Sequence, residues 1–291
     1  MQKIRIGQFS QSAALLAIAH NNFLPDYEIE ITNVASSPAA FGALMNRDLD
    51  IAITSPDNIL LYATTPNNPL GQVCDLIMLR SIDRGLNLSL VSTPEVSTIE
   101  DLRKATFSID SPTSGFAILL NFMLRKLGID PTEVNFIAAG STPKRLVHMR
   151  ENSSQASILN AESKIQANEL GFKTWMSVSD ISSNYLGSII CVERSMETTE
   201  KVRNFMVAWK KAIDWLLETS FSQYSQAFSQ TSPALASENY FKLLHDPIYG
   251  LTKENVLSVE ALQILIKVRQ ESNAYVPPLA SLSGLISAMY K

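Results

Sequence analysis

Short apolar strands alternate with helices through much of this chain, and a polar turn follows each strand. The strands are predicted at residues 4–7, 27–34 and 50–54, and the same pattern starts again at 106–109. Alternation of this kind favours parallel β-α-β units, because two parallel strands need a long crossover between them, usually a helix. The sequence therefore predicts the α/β fold class.

The clearest of these units lies at residues 106–127. Its strand leads into a turn that contains Ser111, Thr113 and Ser114, and a strongly apolar helix follows. A helix N-terminus carries free N–H groups that favour anions, so this turn is a candidate site for an acidic or polar group of a ligand. Ser and Thr are also the residues that cap ordinary helices, and that simpler interpretation stays open.

The composition limits the classes of partner. The 291 residues are 46% hydrophobic and 18% charged, which is typical of a globular protein with one large or two medium domains. A net charge of -4 and the lack of a dense Lys/Arg patch argue against nucleic acid as a partner. No apolar run is long enough to span a bilayer, so no membrane span is expected.

Residues that often carry metal or nucleophilic chemistry are few and scattered. Cys74 and Cys191 lie in apolar surroundings without metal-ligand spacing, and we expect both to be buried free thiols. The histidines are His20, His148 and His245, and the sequence contains no HExxH, GxSxG or P-loop motif. We therefore expect no metal, no cofactor and no catalytic constellation.

The order of predicted elements divides the chain into two α/β units and a C-terminal helical tail. We expect a first lobe formed by residues 1–88 with 190–291 and a second lobe formed by residues 91–187. Hinge crossings are expected near residues 86–91 and 186–192. The first long helix of the tail has one apolar face. That face consists of Val202, Phe205, Met206, Trp209, Ile213 and Leu216.

Residues 41–54, 97–109 and 127–134, taken with the order of elements, resemble the type 2 periplasmic binding proteins. The resemblance is nearest to the branch of the nitrate-, sulfonate- and taurine-binding proteins and the thiamine-pyrimidine synthases. It covers about residues 4–192. It implies a two-lobed α/β fold with a C-terminal helical tail, in which the lobes are joined by a two-stranded hinge and close on a ligand between them.

The resemblance also implies where ligand contacts come from. In these proteins they usually come from the turns after the strands, and ligands of open α/β sheets in general bind beyond the carboxyl ends of the strands. The turn at residues 140–142 is one of these turns. The implied ligand-binding residues are Ser10, Gln11, Ser12, Ser37, Thr54, Ser55, Asp57, Ser111, Thr113, Ser114, Asn160 and Glu162.

Two features depart from the family pattern. Gln155 stands where the family often has an acidic residue before a strand of the second lobe. The synthase branch carries a Cys- and His-rich stretch and a lysine, whereas this chain has no cysteine cluster and residues 36–40 contain no lysine. The second departure argues against synthase activity.

The favoured function is that of an ABC-transporter-type solute-binding protein. It would capture a small polar or anionic organic ligand in the cleft between the lobes, with an ABC permease as a candidate partner. The alternative is an enzyme on the same fold, either a decarboxylase or isomerase of a small organic acid or a protein like the thiamine-pyrimidine synthases. Its acid–base candidates are His20, Asp57 and Glu162. A cytoplasmic sensor domain ranks last, because no basic helix-turn-helix precedes the first strand.

The start of the chain bears on where the protein resides. Residues 1–7 lead directly into a strand and lack the charged and then apolar regions of a secretion signal. We therefore expect a cytoplasmic protein if the sequence is full length, and a periplasmic or cell-surface protein if a signal was removed.

Overall fold

A computed structural model describes residues 2–290, and within that range it contains ten β-strands and eleven α-helices. The strands are β1 (Gln2–Gln8), β2 (Tyr27–Asn33), β3 (Ile51–Thr54), β4 (Leu76–Ser81), β5 (Ser89–Ser92), β6 (Thr106–Ile109), β7 (Asn135–Ala138), β8 (Ala156–Leu159), β9 (Lys173–Ser177) and β10 (Ile189–Glu193). The helices are α1 (Ala13–His20), α2 (Ser37–Met45), α3 (Pro56–Tyr62), α4 (Ile99–Lys104), α5 (Gly115–Lys126), α6 (Thr142–Arg150), α7 (Ala161–Glu169), α8 (Glu200–Glu218), α9 (Phe221–Phe228), α10 (Glu238–Leu244) and α11 (Val259–Glu271).

The described strands form two mixed sheets of five strands each. The first has the order β2-β1-β3-β10-β4, in which β1 runs parallel to β2 and β3 while β10 is antiparallel to β3 and β4. The second has the order β7-β6-β8-β5-β9, in which β6 runs parallel to β7 and β8 while β5 is antiparallel to β8 and β9. We call the parts built on these sheets the first and second lobes. The predicted two-lobed α/β fold is confirmed.

Each sheet contains one antiparallel strand, and in both cases this strand is next to a passage of the chain between the lobes. The chain passes from β4 to β5 through residues 82–88 and returns from β9 to β10 through residues 178–188. In the first passage Leu86 and Asn87 have φ angles of 47° and 59°, in the left-handed region that non-glycine residues rarely adopt. The Leu86 carbonyl accepts a hydrogen bond from the Ala161 N–H of the second lobe at 2.7 Å. The residue limits expected for the lobes stay a prediction.

Helix α8 packs on the first lobe through its apolar face. All six residues predicted for that face are buried, and Trp209 at its centre has no solvent exposure. The helix contacts α1. Burying aromatic and aliphatic side chains in this way provides the main stabilisation of such a helix.

The rest of the tail contacts both lobes. Helix α10 packs against α7, and α11 packs against α5. At the α11–α5 contact, Ser272 Oγ donates to the Ile118 carbonyl at 3.0 Å, and Lys126 Nζ lies 2.6 Å from a carboxylate oxygen of Glu271. Helices of the tail therefore also contact the second lobe.

Two further expectations concern thiols and membrane segments. Cys74 and Cys191 are buried free thiols, as predicted, and burial raises the pKa of both. No helix within residues 2–290 combines the length and the apolar character that crossing a membrane requires.

Candidate ligand-binding cleft

An inner cavity of about 70 Å³ lies between the two lobes. Since roughly 10–15 Å³ accommodates one water molecule, this space suits a ligand group of only a few non-hydrogen atoms. Many of its lining residues lie at the ends of strands or in the turns and first helical turns that follow them, which is where ligands of α/β sheets bind. The first lobe contributes Phe9, Ser10, Ile53, Thr54, Ser55 and Asn58, the second contributes Asp110, Ser114, Gly115, Phe116, Ser141, Thr142, Arg145 and Asn160, and Gly187 and Ser188 lie in the returning passage.

A wider outer cavity of about 630 Å³ adjoins the inner one. The two share Phe9, Ser10, Ser141, Thr142 and Asn160. The outer cavity is thus bounded by the end of β1 in the first lobe and by the starts of α6 and α7 in the second. Its further lining includes Gln11, Ser12, Lys144, Glu162 and Tyr240.

The N-termini of α6 and α7 differ from those of the other helices. Of the eleven α-helices in the described part of the chain, nine have an N-cap side chain that accepts a hydrogen bond from the first turn. Ser141 of α6 and Asn160 of α7 accept none. Because the first N–H groups of a helix have no partner within the helix, these two ends keep donors for another acceptor, although the Ala161 N–H of α7 already donates to the Leu86 carbonyl. Both N-cap residues line both cavities.

One guanidinium and one carboxylate lie in the inner cavity. Arg145 is 2% exposed and donates to the carbonyl oxygens of Gly140 and Ile158 and to Thr142 Oγ1, at 2.9–3.0 Å. Its Nη1 lies 3.9 Å from Oδ1 of Asp110, whose side chain is 9% exposed. Burial lowers the pKa of Arg145, and the nearby Asp110 carboxylate partly offsets that effect. The pair places one positive and one negative charge at the inner end of the cleft.

The structure brings most of the expected ligand-binding residues to the cleft. Eight of the twelve line one cavity or both, and four line neither. The inner cavity is lined by Ser10, Thr54, Ser55, Ser114 and Asn160, and the outer cavity by Ser10, Gln11, Ser12, Asn160 and Glu162. The four that line neither are Ser37, Asp57, Ser111 and Thr113. Whether any of them contacts a ligand stays a prediction.

The turn before α5 uses its donors within the protein. Ser114 Oγ accepts from the Ala117 N–H at 3.1 Å and donates to Asp110 Oδ1. The Gly115 N–H donates to Asn58 Oδ1 of the first lobe at 3.1 Å. This turn therefore acts as a helix cap and as a contact between the lobes, whereas the free helix ends are those of α6 and α7.

Asp57 lies at the same contact but lines neither cavity. Its Oδ2 accepts a hydrogen bond from Arg269 Nη1 at 2.5 Å, and both side chains are almost fully buried. Arg269 also donates through Nε to the Tyr275 carbonyl at 2.5 Å. The pair connects α3 of the first lobe to α11 of the tail.

The acid–base candidates of the alternative function do not come together. His20 lies beside Trp215, with ring centroids 5.9 Å apart, and Asp57 is paired with Arg269. Glu162 alone lines the outer cavity, and burial raises its pKa. Among residues 2–290, no group of three or more His, Cys, Asp or Glu residues is arranged to hold a metal ion.

The sequence analysis missed the two charged residues of the inner cavity, Asp110 and Arg145. Asp110 directly follows β6, so a charged residue at the carboxyl end of a buried strand was the available signal. Arg145 gave no such signal, because an arginine in the first turns of a helix is usually exposed to solvent.

Comparison with solved structures identifies the fold. The chain is similar to a protein of Bordetella bronchiseptica RB50, with 14% identity, a TM-score of 0.80 and coverage of 100% of this chain and 96% of that one. It is similar to the alkanesulfonate-binding protein SsuA from Xanthomonas axonopodis pv. citri bound to MOPS, with 15% identity, a TM-score of 0.76 and coverage of 99% and 98%. The periplasmic nitrate-binding protein NrtA from Synechocystis PCC 6803 shows 12% identity, a TM-score of 0.70 and coverage of 98% and 86%. The protein therefore has the periplasmic binding protein fold, and the predicted resemblance is confirmed.

A sequence profile assigns the chain to a family. The family described as NMT1/THI5 like matches residues 11–220. The chain belongs to this family. A search of curated proteins finds no significant match.

Proposed function

We propose that the protein is a solute-binding protein that captures a small polar or anionic organic ligand in the cleft between its lobes. The observation that carries the proposal is the pair of uncapped helix N-termini, α6 and α7, whose N-cap residues Ser141 and Asn160 line both cavities. An anionic group placed between them receives hydrogen bonds from backbone N–H groups and is stabilised by two helix dipoles.

The surrounding charges favour the same kind of ligand. Lys144 lies in the first turn of α6, is exposed and lines the outer cavity. Arg145 lies beneath the same turn with its Nε atom buried and unpaired. Pro143, between Thr142 and Lys144, supplies no N–H group, so anion binding at this helix end rests on the N–H groups on either side of it.

The comparisons support this class of function without naming the ligand. SsuA is named as an alkanesulfonate-binding protein and NrtA as a nitrate-binding protein, and both share the fold at low identity. The candidate partner is the permease of an ABC transporter, and this partner follows from the proposed class. The enzyme alternative has less support, because its acid–base candidates lie apart and only Glu162 lines a cavity.

A panel of nine small anions tests the proposal by isothermal titration calorimetry. It consists of ethanesulfonate, 2-hydroxyethanesulfonate and 2-aminoethanesulfonate, together with their phosphonate and carboxylate counterparts. At least one member is expected to bind the wild-type protein with a measurable Kd. If no member binds, the proposed function is wrong.

Two variants then locate the anion. In Ser141→Asp and Asn160→Asp, a carboxylate both caps the free N–H groups and repels the ligand anion. Like charges about 5 Å apart at an effective dielectric constant of about 20 repel by roughly 3 kcal/mol, or about a hundredfold in Kd. Folding stability is expected to hold or rise, because Asp is a good N-cap. Ser220→Asp makes the same change at the exposed N-cap of α9 and is expected to leave Kd within twofold. Wild-type affinity in both cleft variants would contradict the site.

A further inference from the structure

Asp110 offers a hydrogen-bond acceptor inside the cleft that the protein leaves unused. Its side chain is 9% exposed and lines the inner cavity. Oδ1 accepts the hydroxyl hydrogen of Ser114. Within residues 2–290, no group donates a hydrogen bond to Oδ2.

The neighbouring guanidinium does not take this acceptor. Arg145 directs its close hydrogen bonds to Gly140, Thr142 and Ile158, and its nearest approach to the Asp110 carboxylate is 3.9 Å, to Oδ1. This distance is beyond hydrogen bonding but short enough for the two charges to compensate each other. The inner cavity thus needs a hydrogen-bond donor and does not need a second positive charge.

We propose that the ligand is an organic anion that also carries an N–H or O–H donor, and that this donor binds Oδ2 of Asp110. The inference rests on the proposed function and specifies the ligand class of that same site. A ligand group that cannot reproduce the hydrogen bond of the water it displaces loses affinity. A site built to bind such a donor discriminates strongly against analogues that lack it, because a buried polar group is then left unpaired.

The cavity also fixes the arrangement of the ligand's parts. Ser141, Thr142 and Asn160, at the free helix ends, line the same inner cavity as Asp110. Phe9 and Phe116 line that cavity from opposite lobes. The donor and the anionic group therefore lie a few atoms apart, with an apolar spacer beside the aromatic rings. An inorganic anion that only accepts hydrogen bonds, such as nitrate, leaves Oδ2 unpaired and is a poor fit.

The nine-compound panel allows ligands with and without a hydrogen-bond donor to be compared at the same anionic headgroup. Within each headgroup series, the amino member, the hydroxyl member or both are expected to bind at least tenfold more tightly than the unsubstituted member. If the unsubstituted member binds within twofold of both, Asp110 selects no donor and the inference is wrong, while the proposed function stands. If no member binds at all, the proposed function fails first and this inference fails with it.

Asp110→Asn tests the residue itself. Because Ser114 donates to the Oδ1 position, the amide oxygen stays there and the amide NH₂ takes the place of Oδ2. A donor then faces the ligand donor. The affinity for donor-bearing members is expected to fall at least tenfold, and the affinity for unsubstituted members to change by no more than about threefold.

Asp26→Asn is the control, because it makes the same substitution at an exposed position outside the cleft. It is expected to leave every Kd unchanged. Melting curves verify that both variants fold. If Asp110→Asn does not fold, the comparison of ligands within each series on the wild-type protein still tests whether the site selects a hydrogen-bond donor. An unchanged donor preference in folded Asp110→Asn would overturn the assignment of Asp110.

Discussion

Asp57→Asn separates two roles for a residue that the sequence assigns to ligand binding. In the structure Asp57 Oδ2 lies 2.5 Å from Arg269 Nη1, and the two side chains are 4% and 1% exposed. The substitution leaves the buried guanidinium without its anionic partner. Its remaining acceptors are neutral: the new amide oxygen and the backbone carbonyls of residue 57, at 3.3 Å, and of Tyr275.

Breaking a buried ion pair from one side costs about 3–5 kcal/mol. The entropy of unfolding is about 2.1 cal/mol/K per residue, or roughly 0.6 kcal/mol/K for a chain of this length, so Tm is expected to fall by about 5–8 °C. Differential scanning calorimetry measures this shift. The double variant Asp57→Asn with Arg269→Met removes the orphaned charge and is expected to recover part of the loss, because no unpaired charge then stays buried.

Ligand affinity provides the second measurement. Since Asp57 lines neither cavity, the Kd of the tightest panel member is expected to stay within about threefold of the wild-type value. A Tm within 2 °C of wild type together with a tenfold weaker Kd would refute this reasoning. It would instead support the prediction that Asp57 binds the ligand.

Two other substitutions test the contact between the lobes and a buried carboxyl. In Gly115→Ala the new Cβ would lie 2.8 Å from the Cβ of Asp57 in the opposite lobe, so we expect both Tm and ligand affinity to fall, with an overpacking cost of about 1–3 kcal/mol. The control is Gly284→Ala, whose new Cβ enters open space and should change neither quantity. Unchanged values in both variants would contradict the contact between the lobes. Burial raises the pKa of Asp83 to about 6, although the hydrogen bond from the Gly85 N–H favours the charged form. Because the folded protein binds this proton more tightly than the unfolded chain does, the contribution of Asp83 to stability is fully present below about pH 4 and is lost as the pH rises through 6. The unfolding free energy of the wild-type protein should therefore fall between pH 4 and pH 7, and in Asp83→Asn this fall should be smaller by up to about 3 kcal/mol. Chemical denaturation at several pH values measures it, and an unaltered pH profile would show that the pKa of Asp83 is not raised.

The sequence determined the local structure and the fold class. Strand and helix periodicity, and the polar turns between them, are properties of a few neighbouring residues, so the alternation of elements and the apolar face of α8 followed directly. Resemblance to known proteins then supplied the two-lobed arrangement. The turns that meet at the cleft could be predicted for the same reason, because the carboxyl ends of parallel strands lie at one edge of a sheet.

Only the tertiary structure decided which of those turns keep free donors. Ser114 and Ser141 are both serine N-caps after strands, yet Ser114 is used by Ala117 and Asp110 while Ser141 caps nothing. The difference arises from what packs beside each turn and is not contained in either local sequence.

Long-range partners decided the roles of the charged residues. Asp57 meets Arg269 across 212 positions of the chain, and that pairing connects α3 to α11. The sequence predicts Arg145 to be an ordinary surface arginine. In the structure it is buried, and the carbonyl of Ile158 on the neighbouring strand accepts a hydrogen bond from its guanidinium. Sequence patterns report a residue's neighbours within a few positions, whereas the charge and hydrogen bonding of this cleft depend on groups brought together by packing.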